Sequence, residues 1–275
     1  MQVINKKSIP LPEKFKELHG YTILHLSDLH LKKRTKLFDT YFDEISKVET
    51  DIICITGDII DNKEGINTAA HYLPKLNHRH GFYACLGNHD EYKLSYHHGI
   101  LNKLGLPLKL KKHDITPFEQ VLSNAGVTLL RNEFFQFENN GERIQIYGAY
   151  YPIEMYFLKE KFSRKHAEVD QIIQYLQKQD GYKILLSHSP DIVTALPKET
   201  LNLMLSGHTH GGFVQIPNYG PLLYLSKAQR IINTGIYALQ DYQIHVSNGM
   251  ISSKLIPRIG TKAEATILTL TYGSD

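Results

Sequence analysis

The sequence predicts an α/β protein with a largely parallel β-sheet, followed by a second and more antiparallel sheet packed on the first. Three observations carry this prediction: short apolar runs that each end in a polar loop, amphipathic helical patterns between them, and a last quarter rich in turn residues. The length of 275 residues, with 42% hydrophobic and 21% charged residues, suits one large core. We therefore expect a single domain over residues 1–275.

The predicted elements are short strands separated by turns and helices. Seven apolar runs have the length and the β-branched and aromatic content of strands buried on both faces. These strands are predicted at Tyr21–Leu26, Asp51–Thr56, Gly81–Leu86, Val127–Leu130, Ile144–Tyr147, Lys183–Leu186 and Leu201–Leu205. Apolar residues at spacings of three and four predict helices within Leu37–Val48 and Lys165–Lys178. Further strands, between Gly, Asn and Pro turns, are predicted at Phe213–Ile216, Arg230–Ile232, Gln243–Ser247 and Ala265–Thr271.

Charge and cysteine content narrow the class of protein and its location. The 31 basic and 28 acidic residues leave a net charge of +3, too small to indicate a nucleic-acid-binding protein, so we predict no specific nucleic-acid partner. Cys54 and Cys85 lie in apolar runs, which is typical of buried thiols in a reducing cytoplasm. We find no signal peptide and no apolar stretch of the roughly 20 residues that a spanning helix needs. We expect a cytoplasmic protein, with any membrane contact peripheral to the inner face.

A long segment after Asp90 interrupts the alternation of strands and helices. It runs over about residues 91–117 and exceeds an ordinary strand-to-helix connection, so we interpret it as a cap-like insertion. Leucines and lysines are interleaved in its 97–112 region. One interpretation is a surface flap whose leucines pack on the body. The other is a cap that contacts an amphipathic or anionic substrate or a membrane, with His97 and His98 as candidate substrate contacts.

Side chains with metal-binding or acid–base chemistry follow five of the predicted strands. They lie in the sequences SDLH (27–30), GDIID (57–61), GNHD (87–90), SHSPD (187–191) and GHTH (207–210). Singly, each has an ordinary structural explanation: Asp61 and Asp191 as helix N-caps, Asn88 as a turn residue, and His188 as a hydrogen-bonded strand-end histidine. Together they indicate one crevice, because the carboxyl ends of parallel strands meet at one edge of a sheet. Oxygen and imidazole ligands without thiolate suit Mn²⁺, Fe, Zn²⁺ or Mg²⁺, and their number points to two ions.

These five sequences, in this order, resemble the motifs of the calcineurin-like metallophosphoesterases: D-x-H, G-D-x-x-D, G-N-H-[DE], a single His and G-H-x-H. The resemblance implies the metallo-dependent phosphatase fold, a four-layer α-β-β-α sandwich of two mixed sheets. This fold agrees with the α/β prediction. The resemblance also implies two divalent metal ions, for which Mn²⁺ is our first expectation.

The resemblance assigns a role to each matching position. One ion would be held by Asp28, His30, Asp58 and His210, and the other by Asp58, Asn88, His188 and His208. His89 would be the non-ligand histidine beside the scissile phosphate, and Asp90 would orient its ring. His25, inside the first strand, is expected to be a satisfied core residue instead.

Flanking sequences narrow the resemblance to a bacterial branch. ILLSHSPDI (184–192) and GHTHGGFVQIP (207–217) resemble a group that includes UDP-2,3-diacylglucosamine pyrophosphatases of lipid A synthesis. Three features depart from that group: residues 148–152 replace an expected acidic loop, Asn248 replaces an expected basic residue, and the insertion is longer than in minimal members. None of these departures affects a predicted ligand, so we expect them to alter substrate contacts.

The implied reaction is direct in-line hydrolysis of a phosphodiester or pyrophosphate bond. Two cations about 3.5–4 Å apart would neutralise phosphate oxygens and provide a metal-activated hydroxide, while His89 would stabilise charge or protonate the leaving oxygen. UDP-2,3-diacylglucosamine, a lipid-linked nucleotide, is the preferred substrate, because leucines suit acyl chains and lysines suit phosphates. The alternatives are hydrolysis of nucleotides, nucleic-acid ends or phosphoproteins, and a non-catalytic scaffold such as the phosphoesterase-like subunit of retromer. Such scaffolds typically lose catalytic positions that this chain keeps.

Overall fold

The computed structural model describes most of the chain as strands and helices joined by short loops. The described residues are 4–94, 110–150, 167–216, 219–222, 226, 228, 231–250 and 258–273. Among them the strands are β1 (Ile4–Pro10), β2 (Thr22–Leu26), β3 (Glu49–Thr56), β4 (Asn77–Cys85), β5 (Val127–Leu129), β6 (Glu133–Asn139), β7 (Glu142–Ala149), β8 (Tyr182–Ser187), β9 (Leu203–Ser206), β10 (Gln215–Ile216), β11 (Gly220–Pro221), β12 (Gly235–Leu239), β13 (Tyr242–Val246) and β14 (Ala265–Thr271). The α-helices are α1 (Lys36–Ile45), α2 (Lys63–Tyr72), α3 (Asn88–Glu91), α4 (Thr116–Asn124) and α5 (Ala167–Lys178).

Twelve of these strands form two six-stranded sheets. The first has the order β1-β14-β2-β3-β4-β5, and the second has the order β12-β13-β9-β8-β7-β6. In the first sheet β2 to β5 are parallel and β14 runs antiparallel to β2. In the second, β7, β8, β9 and β13 are parallel, and the edge strands β6 and β12 are antiparallel to their neighbours. Both sheets therefore have a parallel centre.

Alternate residues of the central strands show how the layers stack. In β3, Ile53 and Ile55 pack with α1 and α2, whereas Ile52 and Cys54 pack against the second sheet. The outer face of the second sheet packs on α5 through residues such as Met204. Since each fully buried aliphatic side chain contributes about 1.5–3 kcal/mol, three such apolar layers provide the main stabilisation. This arrangement is the expected α-β-β-α sandwich.

The structure differs from the sequence prediction in the last quarter of the chain. Strand β14 belongs to the first sheet, and the second sheet is parallel at its centre, because apolar runs show burial but not the sheet that a strand joins. The predicted strand Arg230–Ile232 is wrong at its described residues. The amides of Ile231 and Ile232 both donate to the carbonyl of Ala228, which makes a turn, and Ile231 is 73% exposed.

The insertion after Asp90 leaves the body through a short paired stem. Tyr92 and Lys112 form an antiparallel bridge, and the Lys93 amide donates to the Lys111 carbonyl at 2.9 Å. The His113 amide donates to Glu91 at 2.7 Å, and α4 begins at Thr116. The rest of the predicted cap, residues 95–109 with His97 and His98, lies outside the described residues.

The fold places one end of the central strands around a shared crevice. Strands β2, β3, β4, β8 and β9 end at Leu26, Thr56, Cys85, Ser187 and Ser206, and a predicted metal ligand follows each within three residues. Parallel neighbours end on the same side, so these ligands meet there. None of the helices in the described ranges has the length and apolar character needed to span a membrane.

Candidate metal centre

Five of the seven predicted metal ligands have left-handed backbone conformations. The φ angles are 48° at Asp28, 44° at His30, 51° at Asp58, 67° at His208 and 48° at His210. Such conformations cost non-glycine residues about 1–3 kcal/mol each and are concentrated at functional sites. Here they turn the chain sharply after β2, β3 and β9, so that two motif residues from one turn reach the same crevice.

The first ligand set consists of Asp28, His30 and His210. The Nε2 atoms of His30 and His210 lie 3.3 Å apart, and Nε2 of His210 lies 3.6 Å from Oδ1 of Asp28. All three side chains are buried, and they form a cluster with the donor set of a metal site. Two nitrogens that bind one ion at about 2.0–2.1 Å stand roughly 3.0–3.4 Å apart, so the observed spacing fits a divalent ion.

The second ligand set consists of Asp58, His188 and His208, with Asn88 beside it. Nε2 of His188 lies 3.0 Å from Nδ1 of His208, 3.4 Å from Oδ2 of Asp58 and 3.1 Å from Oδ1 of Asn88. The side chains of this set are also buried, and the amide oxygen adds a fourth donor. Two imidazole nitrogens and two side-chain oxygens again suit a divalent ion.

Asp58 connects the two sets. Its Oδ2 atom lies 3.4 Å from Nε2 of His188 and 3.7 Å from Nε2 of His30. Its Oδ1 atom accepts the amide of His89 at 2.8 Å, which fixes the orientation of the carboxylate. A single carboxylate oxygen therefore faces both sets, as a bridging ligand requires.

Hydrogen bonds from outside the two sets fix the rings of two ligands. Nδ1 of His188 donates to the carbonyl of Thr56 at 2.8 Å, and Nδ1 of His30 donates to Oδ1 of Asp61 at 2.6 Å. In both rings Nε2 is the nitrogen left to face the crevice. Metal-binding histidines are usually held in this way, because the outer bond selects the tautomer and the ring orientation.

Comparison with known proteins agrees with this geometry. The profile of the calcineurin-like phosphoesterases matches residues 21–212, a span that includes both ligand sets and His89. The chain belongs to this family. The metallophosphoesterases YkoQ and YkuE of Bacillus subtilis are each 28% identical to it, over 89% and 96% of this chain and over 81% and 82% of their own lengths. The UDP-2,3-diacylglucosamine pyrophosphatase LpxG of Chlamydia trachomatis is 29% identical over 75% of this chain and 68% of its own length.

Membership of the calcineurin-like phosphoesterases establishes the class of the protein. It is a metal-dependent phosphoesterase hydrolase, as predicted, and the expected α-β-β-α fold is confirmed. The family uses a dinuclear centre of divalent ions, and this chain has two candidate ligand clusters with a carboxylate oxygen of Asp58 within 3.7 Å of a histidine from each.

Asp61 has a role in this calcineurin-like phosphoesterase that the sequence reasoning missed. The structural explanation of Asp61 as a helix N-cap does not hold, because the cap of α2 is Asn62, whose Oδ1 accepts the Gly65 amide at 3.0 Å. Asp61 instead holds Nδ1 of His30 and Nδ1 of His89, at 2.6 and 3.0 Å from one oxygen. Its position at the end of the G-D-x-x-D motif was the available signal.

Asp90 does not orient the His89 ring, so that expectation was wrong. Oδ1 of Asp90 accepts the amides of Ile59 and Ile60 at 2.8 and 2.9 Å, and Oδ2 accepts the amide of Gly87 at 2.9 Å. The short helix α3 turns Asp90 back toward these amides and away from the crevice. Asp90 therefore fastens the loop that carries Asp58 to the loop that carries His89.

The charges at the centre fall into a regular pattern in the metal-free protein. Burial lowers the pKa of His30 and of His188, but the nearby carboxylates outweigh it and raise the two pKa values to about 9 and about 10. Burial lowers the pKa of His208 to about 3 and that of His210 well below its ordinary value. Each ligand set thus contains one protonated and one neutral histidine at neutral pH.

Two further histidines, one on β2 and one on β13, pack next to the second ligand set. His25 and His245 are fully buried with their Nδ1 atoms 2.7 Å apart, and Nε2 of His25 lies 2.9 Å from Oγ1 of Thr56. His25 is therefore a satisfied core residue, as predicted. Thr56 connects this pair to the second ligand set, because its hydroxyl contacts His25 and its carbonyl accepts the hydrogen bond from His188.

Arg258 lies next to Asn248, the position at which the related bacterial sequences lead us to expect a basic residue. Its Nη2 atom donates to the carbonyl of Asn248 at 2.7 Å, and its Nη1 atom lies 3.4 Å from the carbonyl of His210. The guanidinium also lies over the ring of Phe213, with 6.0 Å to the centroid. It ties the loop that follows β13 to the His208–His210 turn, a contact that no local sequence pattern predicts.

Proposed function

We propose that this chain hydrolyses a phosphodiester or pyrophosphate bond at a two-metal centre with shared Asp58. The observation that carries the proposal is the position of Asp58 Oδ2 between His30 and His188, one from each ligand set. The proposed ligands of the two ions are Asp28, His30, Asp58 and His210 for one, and Asp58, Asn88, His188 and His208 for the other. Mn²⁺ is our preferred ion, since the donors are oxygen and imidazole without thiolate, with Fe, Zn²⁺ and Mg²⁺ as alternatives.

Three side chains near the metal centre have distinct proposed roles in the reaction. Bound ions would neutralise phosphate oxygens and lower the pKa of water for attack on phosphorus. His89 is the proposed acid: Asp61 holds its Nδ1 at 3.0 Å and orients the ring, so Nε2 is the atom that gives a proton to the leaving oxygen. The His89 side chain is 28% exposed, so a substrate can reach it from the crevice. Asp90 contributes by positioning the loops of Asp58 and His89, through the hydrogen bonds that it accepts from three backbone amides.

We propose UDP-2,3-diacylglucosamine as the preferred substrate. This proposal is supported by LpxG, which is a UDP-2,3-diacylglucosamine pyrophosphatase and aligns over 75% of this chain. Hydrolysis of the pyrophosphate bond would give UMP and an acylated sugar phosphate. Because such a substrate carries acyl chains, the proposal includes peripheral contact with the inner face of the membrane.

The direct test is hydrolysis by the purified, Mn²⁺-loaded protein. We expect UMP from UDP-2,3-diacylglucosamine, hydrolysis of the artificial diester bis(p-nitrophenyl) phosphate, and a drop in kcat of about 10²–10⁴-fold for His89→Ala. His71→Ala is the control: His71 lies on α2, outside both ligand sets and only partly buried, so the variant should keep wild-type kcat. Turnover of cyclic nucleotides, oligonucleotide ends or phosphopeptides without UMP formation would reject the lipid-linked substrate. No turnover of any ester, with His89→Ala unchanged, would favour the scaffold.

A further inference from the structure

A basic groove lies beside the candidate metal centre. It has a volume of about 610 Å³, within the range of small-molecule sites, and it separates the start of α2 from the stem of the insertion. The residues that define it are Asp61, Lys63, Lys93, Lys111, Lys112 and His113. We call it the stem groove. Asp61 belongs to both the stem groove and the candidate metal centre, because it lines the groove and also holds the rings of His30 and His89.

The charge of the stem groove favours an anion. Four lysines and three carboxylates line it, and one of those carboxylates, Asp61, is already paired with Lys32 at 2.8 Å. Asp114 accepts the Thr116 amide at 3.1 Å. Within the described ranges, Lys63, Lys93 and Lys111 make no ion pair, although all three are exposed. Lysines left without a carboxylate are available to bind phosphate oxygens.

His113 shows how close the groove is to the reacting groups. The pKa of His113 is lowered, first by its burial and then by the positive charges of His89, Lys93 and Lys63. The ring lines the groove and lies within electrostatic range of the proposed acid and of two lysines of the groove. Its Nε2 atom is buried and has no hydrogen-bond partner among the described residues. An anion in the groove would thus lie close to a phosphate at the metal centre.

We propose that the stem groove binds a second phosphate of the substrate, the one that is not attacked. Lys63, Lys93 and Lys111 hold this phosphate while the scissile phosphate lies at the metal centre. The enzyme then prefers substrates with two adjacent phosphates to simple diesters. This inference rests on the proposed function and adds to it a reason for pyrophosphate selectivity.

The first test measures binding without catalysis. Inorganic pyrophosphate is titrated calorimetrically into the metal-free protein at low ionic strength, where the carboxylates of the empty ligand sets disfavour anions. We expect wild-type binding that weakens with added salt, and about tenfold weaker binding for the triple variant Lys63→Gln, Lys93→Gln, Lys111→Gln. The arginine triple at the same positions keeps the charge and should bind as wild type does.

A matched control separates local contacts from net charge. The triple Lys16→Gln, Lys178→Gln, Lys198→Gln removes the same charge at exposed positions that precede β2, β8 and β9, at the opposite ends of the strands from the crevice. It should bind pyrophosphate as wild type does. Equal weakening in both glutamine triples, or no binding by the wild-type protein, would overturn the proposal.

The second test uses the Mn²⁺-loaded enzyme and two substrates. The stem-groove glutamine triple should raise KM for UDP-glucose, a diphosphate, about tenfold with little change in kcat, and leave bis(p-nitrophenyl) phosphate unaffected. An equal loss on both substrates would reject the groove as a diphosphate site while hydrolysis itself stands. If the wild-type enzyme hydrolyses neither substrate, the proposed function fails, and the calorimetry still decides the groove.

Discussion

Nδ1 of His89 lies 3.0 Å from Oδ1 of Asp61, and the same oxygen lies 2.6 Å from Nδ1 of His30. One carboxylate thereby orients a ring of the first ligand set and the ring proposed to protonate the leaving group. Its other oxygen is paired with Lys32 at 2.8 Å. Burial raises the pKa of Asp61, but the two histidines outweigh it and hold that pKa far below its ordinary value. One side chain therefore contacts both a proposed metal ligand and the proposed acid.

Replacing Asp61 should impair both functions at once. We expect Asp61→Asn to weaken binding at the first ligand set and to lower kcat, each about 10–100-fold, because the amide no longer holds two imidazole N–H groups as a charged acceptor does. Metal titration and steady-state kinetics at saturating Mn²⁺ measure the two effects separately. Combined with His89→Ala, the substitution should lower kcat much less than additively.

Asn62→Ala is the control for Asp61→Asn. It removes the N-cap of α2 next to Asp61, so it should lower the free energy of unfolding by about 1 kcal/mol without changing kcat. If Asp61→Asn behaved in the same way, with metal affinity and kcat intact, Asp61 would be structural only.

Metal binding should release protons. The raised pKa values of about 9 for His30 and about 10 for His188 mean that both rings hold a proton at pH 7.5 in the metal-free protein. An ion must displace these protons, so we expect about two protons released per dinuclear centre and a metal affinity that rises with pH up to about pH 9–10, where both rings lose their protons without metal. Calorimetry in buffers of different ionisation enthalpy measures the release. A binding enthalpy that is independent of the buffer would contradict the prediction.

The two histidines of the GHTH turn should control different ions. His208 lies with Asp58 and His188, whereas His210 lies with Asp28 and His30. We therefore expect His208→Gln and His210→Gln each to lower the metal content of the protein from two ions toward one, and the double variant to retain neither tightly. Elemental analysis after gel filtration measures the content. Loss of both ions in each single variant would show that the sets do not bind independently.

The sequence predicted that the proposed ligand side chains would meet in one crevice, because each comes soon after a buried strand. Asp28, Asp58, His188 and His208 need only the strand end and a turn to reach the crevice. Asp61 was harder, since its contacts with His30 and His89 depend on how three separate loops pack together.

The two carboxylates near His89 show where local sequence becomes ambiguous. Asp90 is adjacent to His89 in the chain, yet α3 turns it toward the amides of Ile59, Ile60 and Gly87. Adjacent residues in a helix point in different directions, so adjacency is a poor guide to contact. Arg258 could not be predicted for a related reason, because it reaches the His210 carbonyl only through tertiary packing.

Gly87 provides a test of how closely the loops of the centre must pack. A Cβ atom at this position would overlap the side chain and the amide of Asp58, with Cγ of that residue at 2.9 Å. We expect Gly87→Ala to displace Asp58 from both ligand sets, to lower the free energy of unfolding by about 1–3 kcal/mol, and to reduce metal affinity and kcat together.

Gly126→Ala is the control, because Gly126 has a φ of 75° but open space around its Cα. That substitution should cost about 1–2 kcal/mol of stability from backbone strain alone and leave metal binding and kcat unchanged. If Gly87→Ala lost stability to the same extent and still bound two ions with wild-type kcat, close packing of the Gly87 and Asp58 loops would not be needed for the centre.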